Sequence, residues 1–275
     1  MSWLQSVLSI SLILQFILQP TLGAEVPKTP DAEAIARHIR FLASDELQGR
    51  RSGTEGCVKA GEYIAGEFKR FGLKPFGADY HQHFDFVSGL KVESQSSFKL
   101  KAGGRKTTLK LGTDYQPLNF SSSVAYKGEI MLTGFGIKAD KLNYNDFAGM
   151  NLRGKAVLIL PYSPEGSSAH GKFAEYLSER RKALSAREQG ASVAVFISEA
   201  EDLSGSRGED ANFTDAGIAA VRISRKTADL ILAQLGKTVE QLMKDGEKNA
   251  KGTISTLEKV RLEIELKLSR ETKKT

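Results

Sequence analysis

Lys182–Ile197 reads KALSAREQGASVAVFI, and its two halves follow different periodicities. The first half completes a helical pattern that begins at Lys172. Phe173, Tyr176, Leu177, Ala183 and Leu184 are its apolar positions, and Gly190 stops it. The second half, Ser192–Ile197, is a short unbroken apolar run rich in β-branched residues, as expected of a strand buried on both faces. The same alternation continues downstream. Ala219–Ile223 is a second short strand, and Thr227–Leu235 is a helix stopped by Gly236. Upstream, Gly128–Phe135 and Lys155–Leu160 are β-rich runs bounded by glycines. Strands alternating with helices predict an α/β (α+β) fold, a mixed β-sheet with flanking helices.

Working toward the N-terminus, Phe98–Lys101 and Thr107–Leu111 flank Gly103 and Gly104, which predicts a hairpin. Tyr80–Phe86 reads as a strand with Tyr80, Phe84 and Phe86 on one side. Two helices precede it. Residues 30–43 place Pro30 and Asp31 at a helix start and Ala32, Ile35, Ile39 and Leu42 on one face. After a polar loop, Ser44–Gly53, Thr54 is an N-cap for a second helix ending at Gly72. Cys57, Gly61, Ile64, Phe68 and Phe71 form one stripe on it, so Cys57 is expected in the core. Cys57 is the chain's one cysteine, which excludes an intrachain disulfide and any cysteine-based metal cage.

Toward the other end, Val260, Leu262, Ile264, Leu266 and Leu268 alternate with Arg261, Glu263, Glu265 and Lys267. This strict period of two predicts a strand with one solvated face, one that must pair backwards or be left with its apolar face uncovered. The formal net charge is +6 over 275 residues. Lys267, Arg270, Lys273 and Lys274, opposed by Glu271, place half of that excess in the last nine residues, read as a basic tail. No basic stripe interleaved with aromatics accompanies it, so nucleic acid is not an expected partner.

The first 23 residues carry no charged side chain, and Val7–Leu18 is largely apolar. This run is shorter than the roughly 20 residues that span a bilayer. Followed by Pro20, Gly23 and Ala24, it predicts a signal peptide over residues 1–23 and export to the periplasm or exterior, with no stable membrane span. The segment Met1–Ser6 lacks the usual Lys or Arg, which leaves an uncleaved anchor as the alternative reading.

Two groups of segments together resemble the secreted zinc aminopeptidases of bacteria that carry an inserted protease-associated domain. One is Phe41–Gly72, FLASDELQGRRSGTEGCVKAGEYIAGEFKRFG, continuing into LKPFG. The other is YKGEIMLTGFGI (126–137), YNDFAGMNLRGKAVLIL (144–160), KALSAREQGASVAVFI (182–197) and IAAVRISRKTADLILAQLG (218–236). Ala219 or Ala220 stands where the insert usually has a proline. The resemblance implies a peptidase-like N-terminal part with a helical hairpin at 24–110, a protease-associated domain at 111–250, and a return strand with the basic tail at 251–275. It also implies that the family's two zinc ions, and its general-base glutamate, belong to an Asn-Val-rich strand, a His-x-Asp motif and later segments that match nothing in this chain. No catalytic or cofactor-binding residue is therefore carried over, and zinc is expected only of a full-length family member. The expected partners are a catalytic domain of that kind, or proteins and peptides met through the protease-associated domain. A freestanding exported binding module is the alternative.

His81, His83 and Asp85 fall at i, i+2 and i+4 of the predicted strand and are the candidate metal ligands, although a solvated strand face produces the same pattern. His38 lies between apolar helix positions, and His170 lies in a Gly/Ser loop. Asp45, Glu46 and Glu55 read as turn and helix-start acids. Gly134 and Gly136 lack the spacing and the Lys-Ser/Thr of a phosphate loop, and no serine has a nucleophile-elbow setting. Asn119 and Asn212 begin glycosylation sequons.

Overall fold

The computed structural model describes residues 31–204, 212–249 and 254–275. The expected signal peptide lies outside the described residues. Two compact units divide the chain, Met1–Gln82 and His83–Thr275.

The first unit is a helical pair. Helix α1 (Ala32–Leu42) is capped by the Asp31 carboxylate, which accepts from the Glu33 N–H at 3.2 Å. Helix α2 (Glu55–Arg70) is capped by Thr54, whose hydroxyl accepts from the Cys57 N–H at 3.4 Å. Between them Asp45–Arg50 forms a short 3-10 turn that buries Leu47. This connection needs its glycines. Gly49 and Gly53 sit at φ 75° and 79°, in left-handed backbone that a Cβ disfavours. At Gly56 a Cβ would stand 1.9 Å from the Leu47 carbonyl oxygen. The expected stripe on α2 is not buried: Ile64 and Phe68 are exposed, Phe71 is 60% exposed, and Cys57 is only half-buried. The residues α2 does bury are Gly56 and Ala60, the face turned toward the Leu47 turn.

The second unit contains strands β1 (Asp85–Val92), β2 (Ser97–Ala102), β3 (Arg105–Leu109), β4 (Tyr115–Pro117), β5 (Val124–Thr133), β6 (Lys138–Ala139), β7 (Tyr144–Asn145), β8 (Ala156–Ile159), β9 (Val193–Ile197), β10 (Ala219–Ile223), β11 (Ile254–Leu266) and β12 (Leu268–Lys274), with helices α3 (Glu179–Glu188), α4 (Arg225–Leu232) and α5 (Val239–Asn249). An eight-stranded sheet runs β3-β2-β11-β5-β8-β9-β10-β4. Its middle, β5-β8-β9-β10, is parallel, and the flanking strands join antiparallel. The mixed α/β architecture expected from the alternation of elements is therefore present.

Each face of the parallel strands has its own core. Ile130, Leu132, Leu158, Val193, Val195 and Val221 meet Ala228, Ile231 and Leu232 of α4 and Val239 and Leu242 of α5. Met131, Val157, Ile159, Ala194 and Phe196 meet Ala183 and Ala186 of α3 on the opposite face. Helices on both faces explain why the two central strands, β8 and β9, are apolar at every position.

Several sequence expectations are corrected. The long helix over 172–189 is confined to Glu179–Glu188, behind a 3-10 turn at Ala174–Tyr176. Phe173 and Tyr176 belong to one core and Ala183 and Ala186 to the other, and one straight helix cannot insert into both. The strand expected from Tyr80 begins only at Asp85. The last amphipathic strand does not wait for a neighbour. It is β11, held between β2 and β5, with Val260, Leu262, Ile264 and Leu266 all buried. Its polar face carries cross-strand ion pairs, Glu263 with Lys106 at 2.6 Å and Arg261 with Glu129 at 3.3 Å. The basic tail is strand β12, antiparallel to β1 in a separate two-stranded ribbon. Strands β2, β3 and β11, from outside segment 111–250, share one sheet with β4, β5, β8, β9 and β10 from within it. Helix α5 had no counterpart in the sequence reading.

Candidate functional site

The parallel strands β8, β9 and β10 point their carboxyl ends the same way, and a cleft of about 470 Å³ opens there. Open α/β sheets place ligands in such crevices. The apolar wall includes Phe120, Ile159, Leu160, Leu177 and Phe196, and the polar groups come from the loops after β8 and β9, from α3 and from β10. The volume lies in the range of small-ligand sites.

The chain leaves β8 through Leu160-Pro161-Tyr162, and Tyr162 adopts φ 62°. For a residue with a Cβ this backbone costs about 1–2 kcal/mol, so surrounding contacts must hold it. Two do. The Tyr162 hydroxyl donates to the Glu199 carboxylate, and the Tyr162 carbonyl accepts from the Lys182 ammonium on α3.

Lys182 is 3% exposed. Burial pushes its amine down to about 8, against the opposing pull of Asp146 and Glu179. Among the described residues no carboxylate lies within 4.0 Å of its Nζ. Glu179, in the first turn of α3, is engaged by Arg222 of β10 through two bonds, Nε to Oε1 at 3.1 Å and Nη2 to Oε2 at 2.5 Å. Arg180 donates to the Thr214 carbonyl at 2.7 Å and stands 5.5 Å over the Phe120 ring. Asp146 is buried and accepts from the Ile137 N–H at 3.0 Å and the Tyr144 hydroxyl at 2.7 Å. The Ser178 hydroxyl makes no capping bond at the head of α3. The arrangement is an apolar recess with one deeply buried cation beside a closed ion pair. It suits recognition, and it shows no nucleophile paired with a base.

None of the residues singled out as metal candidates lines this cleft. His81 belongs to the first unit, where its N–H donates to Asp79 at 2.7 Å. His83 and Asp85 belong to the second: the His83 Nδ1 lies 2.5 Å from the Thr275 backbone oxygen, and Asp85 opens β1 opposite Lys274. Residues 81–84 are not strand, so the shared face on which the three were read together does not form. Among the described residues no group of three or more His, Cys, Asp or Glu is gathered to hold a metal ion. These residues do not fit a zinc centre, and no chemistry is routed through one. His38 bonds the Tyr63 hydroxyl at 2.7 Å, and His170 is exposed. Glu55 pairs with Lys59 at 2.8 Å, which holds its carboxyl below the usual range. Asp45 and Glu46 lie in the Leu47 turn.

Lys182, Glu179, Arg222 and Tyr162 were not found from the sequence. One signal for Lys182 was present: it sits four residues before Ala186 and beside Ala183, so a charged residue occupies the buried stripe of its helix.

No family model matches the chain, and no curated protein does. Solved structures similar to it include aminopeptidases. An aminopeptidase from Aneurinibacillus sp. strain AM-1 is 24% identical with a TM-score of 0.46, over 89% of this chain and 46% of that one. The zinc aminopeptidase BSAP from Bacillus subtilis is 18% identical with a TM-score of 0.37, over 88% and 44%. A peptidase M28 precursor from Shewanella amazonensis SB2B is 16% identical with a TM-score of 0.38, over 88% and 51%. The chain spans about half the length of these proteins. Among the described residues no helix is long and apolar enough to cross a membrane.

Proposed function

We propose that this chain is the leading portion of an exported zinc-aminopeptidase-like protein, with α1 and α2 opening its peptidase-like part and segment 111–250 acting as a protease-associated domain that contacts proteins or peptides. In this reading the catalytic zinc belongs to segments other than those described, and the chain alone hydrolyses nothing. The observation that carries the reading is the use made of the quoted motif. In LQGRRSGTEG, each glycine meets a backbone demand: left-handed φ at Gly49 and Gly53, and a carbonyl in the space of a Cβ at Gly56. Thr54 in the same stretch is a working N-cap. The motif therefore specifies one local structure, and its likeness to the family's opening loop has a physical basis.

The test pairs an activity with a metal count. Purified chain is given leucine p-nitroanilide with and without added zinc, and dialysed protein is analysed for bound metal. The expected result is no chelator-sensitive turnover and no stoichiometric zinc. Turnover abolished by a chelator would overturn the assignment of zinc to other segments. The coding DNA beyond the Thr275 codon supplies a second arm. A His-x-Asp segment there supports the aminopeptidase-like reading, and its absence from all three frames supports a freestanding binding module. The module reading is favoured by one observation of its own: both faces of the parallel strands are covered by helices from within residues 83–275.

A further inference from the structure

The cleft at the carboxyl ends of β8–β10 holds a combination that its own residues leave unfinished. An ammonium buried this deeply ordinarily faces a carboxylate, because an isolated buried charge is costly. Lys182 faces a neutral carbonyl instead, that of Tyr162, and an ammonium has three donors. The acids that pull on it electrostatically, Asp146 and Glu179, also have bonds of their own elsewhere. Glu179 is closed by Arg222, Glu199 accepts from the Tyr162 hydroxyl, and Asp146 serves Ile137 and Tyr144. Arg180, a further cation of the cleft, is turned to the Thr214 carbonyl and the Phe120 ring. Lys182 lines the open volume of the cleft together with the apolar side chains of Phe120, Ile159, Leu177 and Phe196. The backbone at Tyr162 is held in a disfavoured region at the same rim, and strain of this kind collects at ligand sites.

We propose that this cleft receives a carboxylate carried on a small apolar group, the Lys182 ammonium meeting the carboxylate while Phe120, Ile159, Leu177 and Phe196 enclose the apolar part. The inference stands on the cleft alone and is independent of the aminopeptidase-like reading. The same chemistry is offered by a free branched-chain acid and by the C-terminus of a peptide ending in an apolar residue. Because burial holds the Lys182 amine near 8, the cleft binds such a group at neutral pH and releases it in mild alkali.

The experiment uses the full chain and four probes: 4-methylpentanoate, acetyl-alanyl-leucine and the carboxamide of each, titrated calorimetrically at pH 7. The acids are expected to bind saturably and each amide about tenfold more weakly or worse, since a hydrogen bond to a charged partner is lost. The tighter of the two acids identifies the source, free acid or peptide terminus. Lys182→Met removes the preference for acid over amide. Should that variant misfold, the wild-type pH series decides instead. Affinity for the acids falls about tenfold or more between pH 7 and 9.5, as the ammonium is lost, while the amides are unaffected. Equal binding of acid and amide, a Lys182→Met chain that keeps the preference, a flat pH series, or no saturable binding of either acid overturns the proposal.

Discussion

Lys182 shows how one side chain can cost stability at its own site. Its amine titrates near 8 in the folded chain against an ordinary 10.5. Between those values the unfolded chain binds a proton that the folded chain has released, so stability rises with pH across that window. Below about 8 the full penalty is present, roughly 3 kcal/mol by the linkage relation. Tyr115 and Tyr126, whose phenols are raised by burial, act with the opposite sign above their ordinary range, so the informative interval ends near pH 10. Urea midpoints measured from pH 7.5 to 9.5 should climb for the wild type and stay flatter for Lys182→Met. Parallel curves would remove the buried ammonium from the account. At this scale the sequence was only partly readable. The misplaced cation on the helix stripe was visible, but its partners Glu179, Arg222 and Tyr162 lie on separate elements, and their meeting is a product of the sheet order.

At the scale of elements, the legible parts were those with a strict local code. The hairpin around Gly103 and Gly104, the strands of the parallel core and the caps at Thr54 and Gly236 all formed where propensity and periodicity indicated. The misreadings share a cause. Apolar spacing on α2 and over 172–189 predicts burial along one straight helix, whereas tertiary packing decides which face is covered and where the axis breaks. The connection between α1 and α2 makes this testable. Adding a methyl at Gly56 drives a Cβ into the Leu47 carbonyl, and backbone cannot yield as a flexible side chain can. Gly56→Ala should cost about 1–3 kcal/mol or more, read as loss of helical circular dichroism in urea. Gly66→Ala, on the same helix with open space around it, should be neutral or stabilising by up to about 1 kcal/mol. Equal effects at the two sites would show that the close approach is not real.

For the whole molecule, the two units are unequal in what they bury. Residues 83–275 contain both hydrophobic cores, whereas the described part of the first unit fully buries few apolar side chains, among them Leu47 and Ala60. Ile35, Ile39, Val58, Phe68, Phe71 and Leu73 remain exposed, and exposed apolar side chains in such number promote association. A fragment of residues 83–275 should melt cooperatively at about the temperature of the full chain, while residues 31–82 alone should show no cooperative transition by calorimetry. A fragment 83–275 that fails to fold would make the helical pair part of the core. The last amphipathic strand takes the backward pairing that its sequence left open, because β11 finds both neighbours far back in the chain.

That arrangement has a consequence for biosynthesis. Strand β11 joins β2 to β5, pairing Glu263 with Lys99 on one side and Lys127 on the other. Until the ribosome has delivered it, the nascent chain holds two separate pieces of sheet with a vacant slot between them. Each piece presents a raw edge able to recruit a foreign strand. Closure thus waits until β11 itself has left the ribosome, and a holdase shielding that slot while residues 134–253 are being made should raise the yield of native protein.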